Sequence, residues 1–269
     1  MINSKRIAIT GLLLVGLAIT NSSQASLIAE TVQGISVVYD DVTNVTWTAD
    51  ANLLGAMEAN AIAQYGNDNG LIQAIINANN GVVYDVLGMY DTGEVFINNN
   101  AVGVYNLHSY DFFPGGAVSW YGAEAFIGYL NSINYANSSA WALPLWNDGT
   151  HSQGQFGELF YNELNGISGF NIPSNSFFNN INPPQHGAYW ASEDVYGTAY
   201  RFGLGTGNQQ PDIKITPYFG VWAVSSGNIA AVPIQSTFYL FGSVFLYWVF
   251  VRNRNAMLIN FIPKHKSQI

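Results

Sequence analysis

The chain has 269 residues, 49% of them hydrophobic and only 9% charged, with no cysteine and eight Lys and Arg against seventeen Asp and Glu, for a formal charge of −9. Sixteen Tyr, sixteen Phe and seven Trp supply apolar area for a core and exclude disorder over most of the chain. The lack of cysteine excludes disulfides, thiolate metal sites and cysteine nucleophiles, so any chemistry must come from oxygen or imidazole groups.

In chain order, residues 1–25 have the three parts of a secretory signal: Lys5 and Arg6, an uncharged apolar run over 7–19, and a polar stretch ending in small residues at Ser23 and Ala25. Thirteen helical residues reach ~20 Å, short of a ~30 Å hydrocarbon core, so cleavage by signal peptidase after Ala25 is expected. The exported body should then run from 26 to 228. Val32, Ile35, Val37, Val38 and Tyr39 form a β-rich run ended by Asp40-Asp41, and a second run follows over 42–47. Residues 53–63 and 71–78 read as two short helices. Short strands follow at 82–87, 94–97 and 102–107, separated by Asn/Gly turns.

The spacing of Trp120, Ala123, Phe126, Ile127 and Leu130 puts them on one face of a helix over 120–133, with Ser119 as N-cap and Gly122 and Gly128 as weak points. A further helix is expected over 155–164. Beyond Gly187 the pattern returns to strands, at 188–191, 198–204, 213–215 and 220–224. The layout predicts an α+β fold with two longer helices in the middle and antiparallel, Gly-punctuated strands after them. Thirty Asn residues supply much of the polar surface and favour a loop-rich exterior.

A second uncharged segment begins at Ile229. Its apolar part, 234–251, would span ~27 Å as a helix, and the basic residues Arg252, Arg254, Lys264 and Lys266 follow it. A transmembrane helix over 229–254 is expected, with a basic cytoplasmic tail over 255–269 and the body outside. A buried core helix is the alternative. Six of the eight basic residues belong to these two ends; the body holds only Arg201 and Lys214 against all seventeen acids, a net −15. Such a body should be repelled by nucleic acid, anionic lipid and sulfated polysaccharide, which need clustered Lys and Arg. Neutral glycans, cations and neutral proteins remain admissible partners.

Several short words resemble one family. They are Asn44-Val45-Thr46-Trp47-Thr48-Ala49-Asp50-Ala51-Asn52-Leu53, Ser119-Trp120-Tyr121-Gly122-Ala123-Glu124-Ala125-Phe126 with Tyr129-Leu130-Asn131, and Trp141-Ala142-Leu143-Pro144. With them go Gly157-Glu158-Leu159-Phe160-Tyr161-Asn162-Glu163-Leu164, Tyr189-Trp190-Ala191-Ser192 and Val221-Trp222-Ala223-Val224. Together, over about residues 40–228, the chain resembles DUF1566, the Lcl C-terminal domain family, in its exported bacterial form. The resemblance implies a C-type lectin-like domain that sometimes binds polysaccharide and has no established enzymatic activity. Ala142 and Ser225 stand where that family usually has Arg, and both changes remove positive charge.

The C-terminal segment resembles a VPLPA-like PEP-CTERM sorting signal: Val232-Pro233, an apolar helix, then Arg252-Asn253-Arg254. It departs from that signal in Ile234-Gln235, in the bulky Phe245, Tyr247 and Trp248, and in the fifteen residues beyond the basic pair. What the resemblance implies is recognition by an exosortase-type sorting enzyme; a permanent membrane anchor is the alternative.

Chemical motifs are sparse. His108, His151, His186 and His265 share no metal-ligand spacing, and His151 beside Asp148 lacks a GxSxG elbow. Trp146-Asn147-Asp148 and Gln210-Pro211-Asp212 match the sugar-and-calcium words of C-type lectins, but in reversed order, which reads as coincidence. Asn67-Asp68-Asn69-Gly70 fails the EF-hand pattern because Tyr65 takes the first ligand position. Weak Ca²⁺ binding is conceivable for so acidic a body, and no cofactor is expected. Glu193-Asp194 could be a carboxylate pair, but neighbours on an extended chain point to opposite sides. Trp141, Trp146, Trp190 and Trp222 could stack on sugars or fill the core. The candidate ligand-binding residues are therefore Trp146, Asn147, Asp148, Trp190, Glu193 and Asp194.

The resulting expectation is an exported cell-envelope or matrix protein that associates with neutral extracellular polysaccharide without catalysis. A secreted carboxylate-dependent hydrolase and a ligand-free surface spacer are the alternatives.

Overall fold

The structure, a computed structural model, describes residues 27–86, 88–146, 154–169, 172, 175–181, 187–216 and 219–231. The signal segment with Ser23 and Ala25, the sorting residues Val232, Pro233, Arg252 and Arg254, the tail 255–269, and Asn147 and Asp148 lie outside them, as do His151, His186 and His265. The chain divides into two compact units, 1–228 and 229–269. Only 229–231 of the second are described. Among the described residues no helix is long and apolar enough to cross a membrane.

The first unit is a mixture of helices and antiparallel sheets, the α+β class expected. Strand β1 (Leu27–Val32) folds back on β2 (Ile35–Asp40) through Gln33-Gly34, where both φ angles are positive and the turn matches the strands' twist. The single β-rich run read from the sequence is thus a hairpin. The Asp40 carboxylate accepts from the Val42 and Thr43 amides, each at 3.0 Å. That turn delays the next strand, so β3 is Val45–Thr48 rather than starting at 42. Helix α1 (Leu53–Tyr65) ends at Gly66, and α2 (Asn69–Ala78) ends at the Asn79-Asn80-Gly81 turn.

Strands β4 (Val82–Val86), β5 (Gly93–Ile97) and β6 (Asn100–Asn106) form a three-stranded sheet with β6 in the centre. The short strands β7 (Phe112–Phe113) and β8 (Ala117–Val118) pair before α3 (Trp120–Ser132). Ser119 caps α3 by accepting from the Gly122 amide at 3.0 Å. Strand β9 (Trp141–Ala142) follows, then α4 (Gly154–Gly157), whose turns widen into a π-helix over Glu158–Glu163. Strands β10 (Ala188–Val195), β11 (Thr198–Gly203) and β12 (Asn208–Ile213) make a second three-stranded sheet, and β13 (Val224–Ser226) closes the list of strands.

The five-stranded sheet has the order β1-β2-β3-β13-β9. Three of the words quoted above meet in it, since Val224 lies opposite Trp47 on one side and Ala142 on the other. The core beneath it is aromatic: Trp47 and Trp222 meet at 5.1 Å, Phe156 and Phe202 at 5.5 Å, and Phe178 and Trp222 at 4.9 Å. Buried indole N–H groups find carbonyls, Trp222 on Thr48, Trp190 on Val118 and Trp120 on Ala191. These bonds satisfy three of the buried indole donors, whereas the Trp47 N–H finds no acceptor among the described residues.

Two strand expectations are corrected. The strand expected at 213–215 is β12, which ends at Ile213. The run expected at 220–224 is extended, with Gly220 bridging Tyr189, and becomes a ladder only at Val224.

Candidate functional site

Strand alternation gives the β10–β12 sheet two unlike faces. One face carries Trp190, Arg201, Gln210 and Asp212, and the other carries Tyr189, Tyr200 and Phe202.

On the first face is a groove of about 560 Å³, lined among others by Arg201, Thr206, Asn208, Gln210, Asp212 and Phe219. Arg201 Nε donates to Asp212 Oδ2 at 3.1 Å, and the guanidinium lies 4.6 Å from the centre of the Phe219 ring. Asp212 Oδ1 accepts from the Ile213 amide at 2.8 Å. The ion pair is neutral as a unit, and the exposed amides of Asn208 and Gln210, with the Thr206 hydroxyl that donates to Asn208 Oδ1 at 2.5 Å, give the groove its hydrogen-bonding edge. Gly187, Gly203 and Gly205 keep it open by adding no side chain.

On the second face, Trp146 stacks on Tyr200 at 4.3 Å, and its amide donates to Glu193 Oε2 at 2.5 Å. Glu193 also accepts from the Ser192 hydroxyl at 2.9 Å. Glu193 and Asp194 turn to different partners, because Asp194 Oδ2 accepts from Lys214 Nζ at 2.5 Å. Trp190 is fully buried, with its N–H given to Val118, and has no surface to offer a ligand. Trp141 and Trp222 are likewise core residues, and of the four tryptophans weighed for sugar stacking only Trp146 is half-exposed. The structure thus separates the candidate residues: Trp146 and Glu193 share one place, Asp194 another, and Trp190 is core.

Lys214 is the centre of a buried charge cluster that sequence reasoning missed. Its side chain is wholly buried, and Nζ donates to Asp85 Oδ2 on β4 and to Asp194 Oδ2 on β10. The ammonium sits 4.8 Å from the Trp120 ring and 5.6 Å from Tyr121, and the Tyr121 hydroxyl donates to Asp85 Oδ2 at 3.2 Å. The backbone holds Lys214 at both ends, its amide on Gly197 and its carbonyl on the Trp120 amide. Asp91 joins from the β4–β5 connection. Burial pushes the Asp85 carboxyl toward its protonated form, Lys214 opposes this, and Asp91 adds to it. Glu124, on the same helix as Tyr121, is raised to about 7 by burial and then by Asp194. It also lines a cleft of about 490 Å³ between α2, α3, β4 and β9. The available signal was numerical: with two cations among seventeen acids, each cation had to be engaged.

Among the described residues no group of three His, Asp or Glu side chains is placed to hold a metal ion. No family model matches the chain, and no curated protein or solved structure gives a significant match.

Proposed function

We propose that the protein is an exported cell-envelope or matrix component that associates non-catalytically with a neutral, hydroxyl-rich polymer, the β11–β12 groove being its contact surface. One observation carries this reading: the groove combines exposed amides and a hydroxyl with an ion pair of no net charge. Such a surface exchanges hydrogen bonds with sugar hydroxyls but has no spare positive charge for a carboxylate or sulfate. Among its described lining residues the groove holds one carboxylate, Asp212, already tied to Arg201, whereas a glycosidase of the usual kind needs two flanking the bond. That favours binding over the hydrolase alternative.

Export and sorting rest on the two terminal segments of the sequence. Signal peptidase and an exosortase-type enzyme are their proposed partners, with a membrane anchor as the fallback. The membership in DUF1566 and the C-type lectin-like form of the α+β fold belong to the same proposal, supported by the words that meet in the core.

The test is retention of the purified protein on insoluble neutral polysaccharides and on a sulfated one. The wild type should bind at least one neutral polymer, and Asn208→Ala with Gln210→Ala should release it about tenfold more readily, the loss of one or two hydrogen bonds. Retention unchanged by that double substitution would remove the groove from the proposal. Silence toward every neutral polymer would leave the spacer reading in its place.

A further inference from the structure

The Lys214 cluster does more than an ion pair requires. Two carboxylates contact one ammonium, a third carboxyl lies beside Asp85, and the walls are the rings of Trp120 and Tyr121. Asp85 Oδ1 and Asp91 Oδ1 are both buried without a donor among the described residues. Both carboxyls crowd onto Gly103, where an added Cβ would lie 2.0 Å from Asp91 Oδ2 and 2.6 Å from Asp85 Oδ1. The Oδ2 atoms have donors, Lys214 and Tyr121 for Asp85 and the Gly88 amide for Asp91, and the two Oδ1 atoms are satisfied by sharing a proton, which gives Asp85 the character of a carboxylic acid.

We propose that Lys214 and Asp85 condense spontaneously into an intramolecular amide, with Asp194 as the proton acceptor for the lysine amine. Each reactant has its geometry. The Nζ–Oδ2 contact places Nζ roughly 3–3.5 Å from the Asp85 carboxyl carbon, the range from which bonded attack proceeds. Asp194 touches the same Nζ and can take a proton from it, freeing the lone pair.

The step balances within the cluster. The Nζ–Cγ bond forms and one Cγ–O bond breaks. The ammonium gives up two protons, relayed through Asp194, and the departing Asp85 oxygen carries both away as water, while the proton shared with Asp91 stays on Asp91. No oxidant or external reagent is consumed. Condensation is unfavourable in dilute water, but well-oriented groups reach effective molarities of about 10⁵–10⁸ M. It also removes one buried cation and one buried anion, each costing several kcal/mol to desolvate. Asp194 then accepts a hydrogen bond from the new amide N–H.

The choice of Asp85 over Asp194 follows from burial. Asp85 shows no side-chain exposure and shares its proton with Asp91, while Asp194 is 13% exposed. The link would join residues 129 apart, tying the β4 sheet to the β10–β12 sheet in a chain that has no cysteine for a disulfide. Constraint of the unfolded chain by so long a covalent loop is the same stabilising device.

The test is mass spectrometry of the full-length protein as purified and then denatured. The wild type should be lighter by one water than the sequence bounded by its measured termini, and Lys214→Arg should restore the full mass. Digestion adds a site-specific reading. Arg201 and Lys214 are the body's two tryptic sites, and an amide-linked Lys214 should resist trypsin while Arg201 is cut. A branched peptide joining Lys214 to Asp85 would establish the bond, and Asp194→Asn should leave most molecules unlinked. A wild type of full sequence mass, cut at both sites, would overturn the proposal whatever the variants do. A branch to Asp194 would overturn the assignment to Asp85.

Discussion

At Glu58 two effects oppose each other, and their balance fixes a pH dependence. Its Oε2 accepts from the amides of Gly115 and Gly116, each at 2.8 Å, which favours the charged form. Burial wins, because the residue is 2% exposed and Oε1 finds no donor among the described residues, and the carboxyl is pushed from 4.5 to about 7. The folded state therefore holds a proton that the unfolded chain releases between those values. Its contribution is complete below about pH 4.5 and is lost as pH rises through about 7. Glu124, also raised to about 7, acts with the same sign. The urea midpoint should accordingly fall between about pH 5 and about pH 8, and Glu58→Gln, which keeps the two amide bonds, should flatten the fall by about 1–3 kcal/mol. A midpoint that rises over that range would refute the assignment. The sequence showed that acids outnumber cations in the body, but not which acids go inside. Glu58 and Asp85, and the half-buried Glu124, sit among Ala, Val and Tyr in the text, with no local mark of their environment, because the groups around them come from distant parts of the chain.

Elements with a periodic apolar face were legible and those made by tertiary contact were not. Helix α3 follows its apolar spacing and its Ser119 cap, and Gly128, which reads as a weak point, has a positive purpose. An added Cβ there would lie 2.1 Å from Asn79 Oδ1, and Asn79 bridges α2 and α3 by donating to the carbonyls of Ile75 and Ala125. Strand β12 was hidden because its text, Asn208-Gln209-Gln210-Pro211-Asp212-Ile213, has neither alternation nor β-branched residues until its end. It persists because it is an edge strand, where the missing Pro211 N–H takes no ladder bond. The groove was illegible for the same reason. Two substitutions weigh these devices. Ser119→Ala removes both the α3 cap and a 2.7 Å bond to buried Asp111, and should lower stability by about 1–2 kcal/mol in urea unfolding. Gly103→Ala pushes a methyl into the Asp85–Asp91 pair and should cost about 1–3 kcal/mol, with α3 left intact by circular dichroism. A Gly103→Ala protein as stable as wild type would mean that the carboxyls can part freely, which would also weaken the case for a fixed reacting pair.

The charge of the whole body and the placement of its two cations combine into one electrostatic expectation. A body of net −15 repels itself, and the usual relief from surface Lys and Arg is missing, since Lys214 is wholly buried between Asp85 and Asp194 and Arg201 is paired with Asp212 over Phe219. Salt acts differently on these two parts. The exposed carboxylates repel across water, where the screening length falls from about 30 Å at 0.01 M to about 10 Å at 0.1 M. The buried Lys214 cluster is shielded from ions, and its link to Asp85 leaves no charge there for salt to screen, so it loses little. Raising the salt over that interval should therefore weaken the repulsion more than the attraction, and the melting temperature should rise by a few degrees. That direction is opposite to that of a fold held by exposed salt bridges, which salt loosens. Thermal melts at constant pH in sodium chloride decide between the two, and Arg201→Gln, which breaks a partly exposed pair, should steepen the rise by leaving Asp212 among the unscreened acids. A melting temperature that falls with salt would show that partly exposed pairs such as Arg201–Asp212, rather than the repulsion around them, govern the stability of the body.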